Sequence, residues 1–98
     1  MQRRTLLLKV KEGKEEEYRR AHASVWPELI QAAREAGLRN NPTFISGRTV
    51  INYLEAEKAE ESFSRLLTTD VKQRWDKAMS ELLEAADTPS FEEVFHFD

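Results

Sequence analysis

From Arg3 to Val10 the residues alternate, with Leu6, Leu8 and Val10 on one side and Thr5, Leu7 and Lys9 on the other. A period of two predicts a strand with one face more apolar than the other. After Lys11–Gly13 the spacing changes: Tyr18, His22, Val25 or Trp26, and Leu29 recur at steps of three and four, while Glu15, Glu16, Arg19 and Arg20 point elsewhere. That is a helical stripe. Pro27 interrupts it, because a proline inside a helix lacks a donor and clashes with the carbonyl four residues back, here that of Ala23. The pattern predicts a break over Ala23–Trp26 and a second segment with Pro27 in its first turn. Ser24 is its candidate cap, and Gly37, after Ala36, is a fitting left-handed terminator.

Asn41–Ser46 is a short strand candidate, and Gly47–Arg48 turns it into TVINYLEAE, where Val50, Asn52 and Leu54 alternate with Ile51, Tyr53 and Glu55. The two read as a hairpin. A second helical region begins near Ala59 with Phe63, Leu66 and Leu67 on one side and pauses at Thr68–Thr69. Asp70 is then the expected cap of the next helix, with Gln73 as capping-box partner. Val71, Trp75, Ala78 or Met79, and Leu82 form that helix's buried stripe. Asp87–Ser90 is a turn, and FEEVFHF reads as the last strand. The order β-α-β-β-α-β predicts an α+β, ferredoxin-like sandwich, with two helices over one face of an antiparallel sheet. Apolar residues on both strand faces, as at Leu6, Leu7, Leu8, Val94 and Phe95, call for a ligand cavity or a second subunit over the open face.

At 98 residues the chain suits one core, so a single domain is expected over 1–98. Its net charge of -3, with Lys and Arg spread among acidic residues, argues against a nucleic-acid partner. Nothing approaches the ~20 apolar residues of a membrane-spanning helix. The absence of cysteine excludes disulfides, thiolate zinc sites and a Cys nucleophile, and is compatible with a reducing cytoplasm. The N-terminal MQRRTLLLKVKEG lacks the cleavage pattern of a signal peptide.

Three glycines, Gly13, Gly37 and Gly47, lie too far apart for a phosphate-binding loop. His22 and His96 fall on different elements with no ligand spacing, so no metal site is expected. What remains is acid/base chemistry. A histidine gives or takes a proton near neutral pH. Tyr18, four residues before His22, shares its helical face and offers a phenol to a substrate hydroxyl. Trp75 offers a flat apolar surface of the kind that grips the C–H face of a sugar ring. On spacing alone these three have two readings, ordinary half-buried packing or a site. Trp26, beside Pro27, is expected to fill space at the kink, and His96 to lie on the surface or at a dimer seam.

The segments EEYRRAHASVWPEL, AGLRNN, TTDVKQRW and FEEVFHF, in this order and over essentially the whole chain, resemble the L-rhamnose mutarotase family. The combination of Y-x3-H-x3-W-P-E-L with T-D-V-x-Q-R-W carries the resemblance. It implies a cofactor-free homodimer of the dimeric α/β barrel type, acting on a monosaccharide by interconverting its α and β anomers. It also implies His22 as proton donor, with Tyr18 and Trp75 as sugar-binding residues. Where the family pattern has a second tryptophan this chain has Asp76, and where it has a tyrosine at the start of the second strand this chain has Asn41. If both line the pocket, it is more polar and roomier. The general base is left open between Asp76 and a bound water. The same fold also hosts cofactor-free monooxygenases, and a non-catalytic sugar-binding module is a third reading.

Overall fold

The computed structural model describes residues 1–85 and 89–98. Asp87 and Thr88, half of the expected Asp87–Ser90 turn, lie outside them. The described elements run β1 (Gln2–Lys9), α1 (Glu15–Ala23), α2 (Pro27–Glu35), β2 (Thr43–Ser46), β3 (Thr49–Ala56), α3 (Ala59–Leu67), α4 (Asp70–Ser80) and β4 (Ser90–Glu92). The strands form one antiparallel sheet in the order β2-β3-β1-β4. This is the ferredoxin-like arrangement, with each of its two helical units split in two.

Both splits have local causes. Pro27 opens α2, and Trp26 before it is extended, at φ -57° and ψ 127°, as a residue preceding proline must be. Ser24 does not cap α2. It closes α1 instead, because the extended Trp26 separates it from the new helix, and the carbonyl of Trp26 accepts from the amides of Leu29 and Ile30. At the second split the cap falls one residue earlier than expected. Thr69 is extended and its hydroxyl accepts from the amide of Lys72 at 3.3 Å, whereas Asp70 is already helical. The side chain of Gln73 reaches back to the carbonyl of Leu67 at 3.3 Å instead of completing a capping box. Gly37 has φ 105°, and a Cβ there would come within 2.7 Å of the hydroxyl of buried Ser62, so a side chain is excluded twice over.

Alternation along the strands sorts the sheet into two faces. Leu8, Val10, Val50 and Leu54 join Tyr18, Leu29, Leu66 and Trp75 in the core beneath the helices. Among the described residues the opposite face carries no helix, and Phe44, Ile51 and Phe91 stand exposed on it. The last strand is shorter than FEEVFHF predicted. It pairs only Ser90–Glu92 with Leu6–Arg4, and in that register just Gln2 and Arg3 of β1 remain beyond Glu92. Arg3 and Glu93 meet through side chains at 3.0 Å, and Val94, Phe95 and Phe97 are exposed. An aromatic-rich run is strand-prone, but a ladder needs a partner, and β1 offers too little.

Candidate active site

A cavity of about 960 Å³ lies between the helix-covered face of the sheet and helices α1, α2, α3 and α4. Its depth follows from two helical stripes meeting. On α1, Tyr18 and His22 stand one turn apart. On α4, Lys72, Trp75, Asp76 and Met79 fall at i, i+3, i+4 and i+7, one continuous face.

Tyr18 and His22 stack with ring centroids 4.2 Å apart, and the edge of Trp75 meets His22 at 5.3 Å. Trp26 holds Trp75 from the far side, centroid to centroid 5.1 Å in a T-shaped contact. The guanidinium of Arg74 lies 5.8 Å over the Trp26 ring and pairs with Asp70 and Glu28, tying α4 to α2. Trp26 therefore fills space at the kink as expected, and the space it fills is behind Trp75.

His22 Nδ1 lies 2.9 Å from the carbonyl oxygen of Tyr18. A carbonyl only accepts, so Nδ1 carries the hydrogen and donates it. Nε2 is then the nitrogen free to take up or release a proton. Tyr18 is only 4% exposed, and burial pushes its phenol up to about 12. At neutral pH it is a neutral hydroxyl in the cavity lining.

That shift has a testable sign. The native state keeps a proton that the unfolded chain releases above about pH 10, so stability should fall with rising pH between about 10 and 12, by up to about 1.4 kcal/mol per pH unit. Tyr18→Phe should lose this component. Urea unfolding of the two proteins on either side of about pH 11 measures it, and parallel losses in both would refute the assignment.

Asn41 and Asp76 both line the cavity. Asp76 sits at its rim, paired with Lys72, whose Nζ lies 2.7 Å from Oδ1; the Lys72 side chain is only 18% exposed. His96 is remote from the cavity, exposed, and paired with Asp98 at 2.7 Å. Three cavity residues were not singled out from the sequence. Lys72 is the variable position of T-D-V-x-Q-R-W, and only the helical face shared with Trp75 and Asp76 marks it. Thr43 and Asn52 stand opposite each other on the sheet, joined by a hydrogen bond from Asn52 Nδ2 to Thr43 Oγ1 at 2.9 Å. The signal was an amide placed between Val50 and Leu54 on the apolar side of its strand.

With that geometry in place, the comparison with known proteins is decisive. A family model described as L-rhamnose mutarotase matches residues 3–97. The chain belongs to the L-rhamnose mutarotase family. It is 32% identical to the L-rhamnose mutarotase of Bacillus subtilis strain 168 and 30% identical to that of Oceanobacillus iheyensis, in each case across 100% of both chains. The crystal structure of L-rhamnose mutarotase from Formosa agariphila superposes with a TM-score of 0.84 over 100% of both chains at 20% identity, so the family fold is shared throughout. Membership favours carbohydrate isomerisation over the oxygen chemistry of monooxygenases with the same fold. Among the described residues no helix is long and apolar enough to cross a membrane.

Proposed function

We propose that residues 1–98 form a single domain that interconverts the α and β anomers of L-rhamnose or a related 6-deoxy aldose by acid/base ring opening. The observation that carries this reading is the state of His22, with Nδ1 committed to the Tyr18 carbonyl and Nε2 left for a ligand between Tyr18 and Trp75. In the proposed reaction Nε2–H protonates the ring oxygen while the anomeric hydroxyl gives its proton to a base, Asp76 or a water in the cavity. The C1–O5 bond breaks to an open-chain aldehyde, C1 rotates, and the hydroxyl closes on the other carbonyl face. The neutral Tyr18 phenol orients a sugar hydroxyl, Trp75 packs against the ring, and Asn41 and Asp76 add polar contacts. These steps need no cofactor.

A homodimer and a cytoplasmic location belong to the same reading. The helix-free face, with Phe44, Ile51 and Phe91 exposed, supports a second copy packing there, as apolar patches on small proteins mark interaction surfaces. The cysteine-free sequence suits a reducing compartment.

NMR saturation transfer between anomers of L-rhamnose, L-fucose and other aldoses tests the function. Acceleration of at least one is expected. Binding without exchange would leave a sugar-binding module, and neither binding nor exchange would overturn the reading altogether.

A further inference from the structure

The sheet face that floors the cavity carries an aliphatic row with a largely polar row beside it. The row Ile45–Val50–Leu8 is aliphatic, and Leu54 of β3 is only 2% exposed. Between them runs Thr43–Asn52–Leu6–Ser90, one residue from each of the four strands in register, and all four line the cavity. Three of the four are polar. Asn52 is the most out of place, on an interior strand between Val50, which is fully buried, and Leu54. Asparagine is depleted in strands, and an amide under a helical layer forgoes the burial an aliphatic side chain would supply. Folding gives no reason for it.

Its hydrogen bonding points to one. Asn52 Nδ2 donates to Thr43 Oγ1 at 2.9 Å, and this is its only bond within the protein among the described residues. Oδ1 of Asn52 is left as an acceptor, and the Thr43 hydroxyl, already accepting, keeps its own hydrogen to donate. Both residues line the cavity, and Asn52 Oδ1 is not among the buried atoms left without a partner. One acceptor and one donor, fixed side by side and facing an open space, complement two neighbouring hydroxyl groups.

We propose that Asn52 and Thr43 form a diol-reading pair on the floor of the cavity, binding two adjacent ring hydroxyls of the aldose from the sheet side. The proposal rests on the sugar reading of this cavity but assigns recognition to residues outside the Tyr18–His22–Trp75 set. A ring held between Trp75 above and this pair below is fixed in register, which lets a histidine on a neighbouring helix reach one ring oxygen and not another. Orientation of this kind is a large part of what an active site supplies.

The test exploits the strain between folding and recognition. Asn52→Leu places an aliphatic side chain between buried Val50 and Leu54 on the same strand face, so its thermal midpoint should equal or exceed that of the native protein. Its affinity for L-rhamnose, followed by NMR titration, should fall by about tenfold or more, the size of one or two hydrogen bonds lost. A purely structural Asn52–Thr43 bond predicts the reverse, a lower midpoint with unchanged affinity, and that result overturns the proposal. Thr43→Val, near the outer edge of the sheet, provides a second variant if Asn52→Leu fails to fold, with the same loss expected. Analogues of L-rhamnose each lacking one ring hydroxyl locate the contact. The native protein should bind one or two of them about as poorly as Asn52→Leu binds L-rhamnose, and the variant should not distinguish those from L-rhamnose. Equal discrimination by variant and native protein overturns the proposal. Native protein that binds sugar without exchanging its anomers sinks the mutarotase reading and leaves this one standing, whereas full exchange with an unaffected Asn52→Leu variant does the opposite. Native protein that binds no sugar overturns both.

Discussion

His22→Ala is expected to slow anomer exchange by roughly 10²–10⁴-fold, the usual contribution of one positioned acid, while the protein stays folded. The asymmetry follows from where the ring sits. His22 is half-buried against Tyr18 and Trp75, and its sole hydrogen bond among the described residues goes to a backbone carbonyl one turn back, which already serves the helix. Removing it costs a stacking contact and opens a small space at the cavity wall. Saturation transfer measures the rate and a thermal melt the fold. A variant with full rate would sink His22 as the acid, and one that unfolds would show the ring to be core packing.

Trp75→Ala should do far more damage. The indole is 6% exposed and makes edge contacts to both His22 and Trp26, so its loss removes the wall between the cavity and the α2–α4 seam. Truncating a buried tryptophan typically costs about 3–5 kcal/mol, a large share of the ~5–15 kcal/mol that holds a small domain. Trp75→Phe should recover much of the stability and little of the exchange rate, since a phenyl ring covers less of the face of a sugar. Urea midpoints compared with exchange rates separate the two effects. Equal recovery of both would mean that Trp75 acts on the sugar only by holding the fold.

What the sequence made legible was whatever a helix period decides. Tyr18 with His22, and Trp75 with Met79, were readable because residues three and four apart share a face, and the break at Pro27 was readable because the ring's steric demand is local. The caps were readable only to within a residue. Thr69 and Asp70 both suit the role, and the choice rests on which of them leaves the helical region. The sheet was harder. Strand alternation put Asn52 on the apolar side, yet its partner Thr43 became visible only once β2 and β3 were in register. The Lys72–Asp76 pair is two ordinary surface residues until α4 is rotated against the cavity. For FEEVFHF, composition favoured a strand and topology limited it to three residues, since β1 had little left to pair with.

The bond from His22 Nδ1 to the Tyr18 carbonyl has a consequence for the economy of turnover. It closes off the rear of the imidazole, so no relay can carry a proton in or out behind it. Under the proposed reaction the same Nε2 lends its proton to open the ring and recovers it when the ring closes. Each passage ends with the ring in the state in which it began, whichever anomer entered. Such a catalyst needs no resetting between turnovers and works in either direction.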